Sequence, residues 1–113
     1  ISEKKSQVTD LKKIGSMSEA AAKMVRDSVT SYVNKDLELC RHVMEADDAV
    51  DIMFEETKKE LIETIADNKG DQGKEAIDLI MVAKYLERIG DHATNIAEWV
   101  EFSITGIHKD SQV

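Results

Sequence analysis

The sequence has no proline, one cysteine and one tryptophan, and only 4% of its residues are aromatic. Without proline, no position both fixes its backbone angle and lacks the N–H that a helix needs. The single cysteine, Cys40, has no internal disulfide partner. It lies within an apolar pattern, so it reads as a small buried residue, and the chain suits a reducing compartment. No apolar run approaches the roughly 20 residues that cross a bilayer, and no stretch has the pattern of a secretory signal. Positive charge is also scarce, with 15 Lys and Arg against 23 Asp and Glu, a formal net charge of −8. That balance excludes the basic footprint of a nucleic-acid binder.

What remains is a helix-forming chain. Charged residues make up 34% of it, and β-branched residues are scattered rather than clustered, a helix-bundle composition. At 113 residues it can bury one modest core. The expected fold is all-α, an antiparallel three-helix bundle running up, down and up, with helices over about 8–33, 37–66 and 74–104.

Ser6 or Thr9 is expected to cap the first helix after frayed residues 1–7. Leu11, Ile14, Ala21, Val25, Val29 and Tyr32 give it an apolar stripe, widened by Met17, Met24 and Val33. Asn34-Lys35-Asp36 is a weak break, yet three helices bury each other's stripes where one rod cannot. A tight turn is therefore expected there, with Asn34 or Asp36 as the next cap. In the second helix Leu39, Val43, Ala46, Val50, Met53, Phe54, Leu61 and Ile65 face inward. Asp67 to Gly73, with two glycines, is the firmest loop. In the third helix Val82, Leu86, Ile89, Ala93, Ile96 and Val100 recur at steps of three and four and are expected to face the core. Gly106 ends that helix.

Carboxylates carry the chemistry. On this reading Glu87, Asp91 and Glu98 fall nearly opposite the buried face of the third helix. Glu87 and Asp91 are four residues apart and repel unless a cation lies between them. Asp47 and Asp51 repeat that spacing beside the apolar stripe of the second helix. On antiparallel neighbours the two pairs can share a face. The first helix echoes the third, Leu11-Lys12-Lys13-Ile14-Gly15 against Leu86-Glu87-Arg88-Ile89-Gly90. It has Lys12 and Ser16 where the third has Glu87 and Asp91, so a metal site belongs to the second and third helices. Oxygen-only ligands suit iron, manganese, magnesium or calcium, and no Cys or His lies at a spacing that suits structural zinc. Asp48, Asn95 and Glu98 could support the ligands from behind. His92 borders the buried face and reads as structural; His42 and His108 read as surface residues. No Ser, Cys or Lys has a base beside it, and no Glu-x-x-His motif occurs, so an enzyme is not expected.

The run Leu86 to Glu98, with Glu-Arg-Ile-Gly-Asp-His-Ala-x-Asn-Ile-Ala-Glu, resembles the signature of the PhoU family of phosphate-uptake regulators. Glu45 to Asp51 resembles the same family's acidic motif on the preceding helix, and the likeness extends over about residues 11–106. The resemblance implies surface iron clusters built from paired acids. It also implies a cytoplasmic adaptor between the ATPase of a phosphate ABC transporter and a sensor histidine kinase, repressing the phosphate-starvation response. It leaves a homodimer open and implies no direct membrane insertion. A cytoplasmic domain of a sodium–phosphate cotransporter is the alternative, and a metal-carboxylate enzyme a more distant one. The family's tandem three-helix repeats, the start at Ile1 and the short tail after Gly106 make this chain read as the second half of a longer protein.

Overall fold

Three buried seams, advancing by three or four residues or by their sum of seven, decide how the helices meet. The helices are α1 (Ser2–Asn34), α2 (Leu37–Asn68) and α3 (Gly73–Thr105). The computed structural model describes residues 2–68 and 73–106, with side-chain surroundings from residue 11 to 67 and from 73 onward. The connection at residues 69–72 and the tail beyond Gly106, His108 included, lie outside the described residues.

Cross-helix contacts fix the topology. Lys13, early in α1, pairs with Glu60, late in α2. Arg41, early in α2, pairs with Glu101, late in α3, at 3.2 Å. Leu11 of α1 lines a groove with Leu79 and Val82 near the start of α3. So α2 runs against both neighbours while α1 and α3 run parallel, giving an all-α, up-down-up bundle about 54 Å long. A 33-residue helix spans about 50 Å, so each helix runs nearly the whole length.

The turn after α1 is a true reversal. Lys35 takes a left-handed φ of 55°. Its N–H donates to the Tyr32 carbonyl at 3.3 Å, and the Asp36 N–H to the Ser31 carbonyl at 2.9 Å. These are the two bonds of a Schellman stop, made here without glycine. Asp36 then caps α2, its Oδ1 accepting from the Leu39 N–H at 3.0 Å. Gly106, at φ 75°, ends α3 with its N–H on the Phe102 carbonyl at 2.7 Å. α1 begins at Ser2, so residues expected to be frayed continue the helix; nothing in them opposes helix formation.

The core corrects two expected faces. In α3 the buried residues are Gly73, Ala76, Ala83, Gly90, Ala93, Ala97 and Val100. Val82, Ile89 and Ile96 sit one position before the small-residue repeat and remain 43%, 40% and 39% exposed. In α1 the buried seam is Met17, Ala21, Met24, Ser28 and Ser31, while Leu11, Val29, Tyr32 and Val33 are exposed. The small residues win the centre because they let helices approach, and interaxial distance follows the side chains at the contact. Ser28 and Ser31 can be buried because each hydroxyl donates to a carbonyl three residues back, at 2.8 and 2.7 Å. α2 supplies the larger residues that fill the space: Val43, Val50, Phe54 and Leu61, together with Cys40. The Cys40 thiol, expected to be buried, donates to the Ala97 carbonyl at 3.3 Å, and burial pushes its pKa up.

Candidate functional site

The seam of α2 runs Cys40, Val43, Asp47, Val50, Phe54, Thr57 and Leu61. Every member but one is buried and apolar or hydroxylic. The exception is Asp47, a carboxylate at a core position. Sequence reading placed it beside the stripe; it stands in it. Its Oδ1 is buried and has no hydrogen-bond partner among the described residues. α3 leaves room for it, because the residue it faces is Gly90. A Cβ on Gly90 would stand 3.6 Å from Asp47 Oδ1, 3.6 Å from Val50 Cγ1 and 3.5 Å from Met24 Sδ.

Asp51 lies one helical turn further along α2, and Asp91 lies on α3 beside Gly90. One carboxylate oxygen from each of Asp47, Asp51 and Asp91 falls within 4.8 Å of the other two. Asp47 and Asp51 are half-buried and Asp91 is exposed, so the group opens to solvent on one side. Glu87, the fourth expected ligand, stands beside Asp51 and acts on it through charge and a hydrogen bond. Its Oε1 also accepts from Lys84 Nζ at 2.8 Å, and its side chain is only 14% exposed. The same Lys84 ammonium lies 5.3 Å from the Phe54 ring centroid, so the lysine is held between ring and carboxylate. Glu87 and Asp91 thus flank the α2–α3 boundary instead of facing away from the bundle. The whole face of α3 is turned relative to the one expected, for the reason just given: Gly90, not Ile89, points at the core.

The electrostatics follow from burial and crowding. Asp47 is pushed up to about 6, first by burial, then by the charges of Asp51 and Asp91. The nearby Thr94 hydroxyl pulls the other way, and the Asp91 carboxylate pushes it up further. Thr94 donates to the Gly90 carbonyl at 3.1 Å, which fixes its hydroxyl beside the acids. Asp51 is raised as well, by burial and then by Asp91, Glu87 and Asp48. Crowded carboxylates that resist ionising together lack positive charge. A hard cation among them would supply that charge and a partner for Asp47 Oδ1, and an all-oxygen donor set fits such an ion.

The sequence named the three clustered acids and Glu87, but not Lys84, Thr94 or Gly90's place opposite Asp47. A signal for that last point was available: the 76, 83, 90, 97 repeat of Ala and Gly is exactly periodic at seven, and Asp47 falls on the 40–43–47–50 rhythm. Asp48, Asn95 and His92 are exposed and Glu98 half-buried; none joins the three-oxygen group.

Residues 14–100 match the family model described as the PhoU domain. The chain belongs to the PhoU family. The clustered acids all lie inside the matched PhoU segment. Among curated relatives, a protein of Clostridium acetobutylicum is 33% identical over 100 residues, 88% of this chain and 45% of its own length. One from Zymomonas mobilis is 40% identical over 90 residues, 80% of this chain and 38% of its own. One from Xylella fastidiosa is 39% identical over 100 residues, 88% and 40%. Each is named as a PhoU homolog, an accessory protein of a phosphate-specific transport system. This PhoU-family chain spans less than half the length of these relatives. No solved structure matches it. Among the described residues no helix is long and apolar enough to cross a membrane.

Proposed function

We propose that this chain is a regulatory unit of a phosphate-specific transport system, acting by docking, with a hard cation held on its α2–α3 face. The observation that carries the reading is the group of three carboxylate oxygens within 4.8 Å of one another, built around a buried and unpartnered Asp47 Oδ1, on a PhoU-family chain. Asp47, Asp51 and Asp91 would hold the ion, with Glu87 joining if Lys84 yields it. Iron is the first candidate by family resemblance; manganese, magnesium and calcium share the chemistry. The ion would neutralise the cluster and tie α2 to α3. Asp47 anchors from the core side, Asp51 and Asp91 present the open side, and Lys84 sets the charge at the rim.

In this reading the partners are the ATPase subunit of the phosphate transporter and a sensor histidine kinase, met in the cytoplasm. The test is a pull-down of each partner with the full-length parent, joined to a phosphate-responsive reporter in cells carrying Asp51→Asn plus Asp91→Asn. Loss of repression at high phosphate with normal protein levels is expected. A parent that binds neither partner, with a reporter blind to both substitutions, would remove the adaptor reading.

A further inference from the structure

Helix α1 echoes α3 but exchanges its acids, with Lys12 and Ser16 standing where α3 has Glu87 and Asp91. The exchange falls on a groove. Lys12, Lys13 and Ser16 of α1 and Met53, Glu56 and Thr57 of α2 line a cavity of about 270 Å³. It lies on the α1–α2 boundary, whereas the acid cluster lies between α2 and α3. Thr57 sets this groove apart. It is one of three buried polar residues among those described, with Ser28 and Ser31. The two serines donate to the carbonyl three residues back, and half-buried Thr64 and Thr94 to the one four back. A helical threonine always has such a carbonyl in reach. Thr57 is 1% exposed, yet its hydroxyl makes no hydrogen bond with a described residue. It is turned to the groove that it lines.

The charges around that hydroxyl select the occupant. Lys13 is tied to Glu60 on α2. Lys12 and Glu56, both exposed, form no ion pair among the described residues. The groove therefore offers one unpaired ammonium, the hydroxyls of Ser16 and Thr57, and one unpaired carboxylate. An oxyanion takes the ammonium and the hydroxyls as donors, in charge-assisted hydrogen bonds. An ionised carboxylate can only accept. Glu56 thus repels an oxyanion that has no proton and holds one that keeps an acidic O–H. Phosphate keeps such a proton at neutral pH and sulfate does not. At about 30 Å³ per water molecule, the cavity has room for a phosphate group and several waters.

We propose that the α1–α2 groove binds a protonated phosphate group, with Lys12, Ser16 and Thr57 donating to its oxygens and Glu56 accepting from its O–H. This goes beyond the regulatory reading and rests neither on it nor on the cation site. The test is an amide NMR titration of the 113-residue chain with inorganic phosphate, in chelator at neutral pH, beside sulfate at matched ionic strength. Amides of residues 12–16 and 53–57 should shift saturably with phosphate, at the roughly millimolar affinity of an open site. Sulfate should bind at least about tenfold more weakly. Thr57→Val should weaken phosphate at least about fivefold; a buried hydroxyl without a partner costs stability, so misfolding does not explain the loss. Glu56→Gln, at an exposed position, should admit sulfate as well as phosphate. Lys59→Met, at an exposed position outside the groove, should change neither. Phosphoserine titrated in parallel tells a free phosphate from a phosphoryl group carried on a larger molecule, the tighter of the two being the one the groove takes. No saturable shift with phosphate, equal binding of sulfate by the native chain, undiminished affinity in Thr57→Val, or continued refusal of sulfate by Glu56→Gln would overturn the proposal.

Discussion

Asp47 and Gly90 face each other across the α2–α3 boundary, the carboxylate Oδ1 lying 3.6 Å from where a glycine Cβ would stand. A core position thus carries an acid, and the residue opposite carries no side chain. Ordinary packing would fill both. The distances are those of normal contact, so glycine is not demanded by space alone.

Gly90→Ala is therefore expected to fold, and to gain about 0.5–1 kcal/mol from helix propensity. The added methyl sets an apolar group against Asp47 Oδ1, which favours the neutral acid, so the gain should be larger at pH 5, where that group is protonated, than at pH 8. Urea denaturation at the two pH values measures it. A variant destabilised at both would show that the boundary is tighter than these distances.

Asp47 itself sets a pH dependence. Its folded pKa is pushed up to about 6 from 3.8. The stability linked to it is fully present below the unfolded value, where both states are protonated, and is lost as pH rises through 6. Asp47→Asn should raise the stability of the metal-free protein above pH 6 by on the order of 1–2 kcal/mol, allowing for solvent screening. The advantage should vanish near pH 4. Thermal melts in chelator across that range give the sign directly; a variant less stable at pH 8 would contradict it.

The fold class and the acids were legible because composition and four-residue spacings are local properties. The orientation of α1 and α3 was not. Ile89 and Gly90 both repeat at seven, one position and about 100° apart, and hydrophobicity alone favours isoleucine for the core. What decides is how closely three helices can approach, which depends on Ala76, Ala83 and Ala97 together. That same choice brings Glu87 and Asp91 to the α2 boundary, so the site's geometry was hidden for the reason the core was. Lys84 was illegible because its role needs both Phe54 and Glu87 in place.

Lys84 competes with a cation for Glu87. Lys84→Met removes one positive charge from the rim and should tighten divalent-ion binding several-fold, on the order of 1 kcal/mol at the screening of a surface site. The fold should lose under about 1 kcal/mol with the ion pair and the Phe54 contact. Titration calorimetry on both proteins checks this; unchanged affinity would mean that Glu87 takes no part.

The α1–α2 turn offers a test of local chemistry. Lys35→Gly should stabilise by about 0.5–1 kcal/mol, since a left-handed φ costs an L-residue roughly 1–2 kcal/mol and the contact of Lys35 with the Tyr32 ring returns part of it. Asp36→Ala should cost about 1 kcal/mol through the lost cap. Denaturant midpoints of the two variants should move in opposite directions.

The direct test of the cation site is calorimetric titration of Mn²⁺ into metal-free protein at pH 7.5, comparing the native chain with Asp51→Asn plus Asp91→Asn. The expected result is saturable binding that raises the melting temperature, reduced at least about tenfold in the variant, with the helical circular dichroism unchanged. Equal affinity in the two proteins, or no binding to the native chain, would contradict a cation held by Asp47, Asp51 and Asp91.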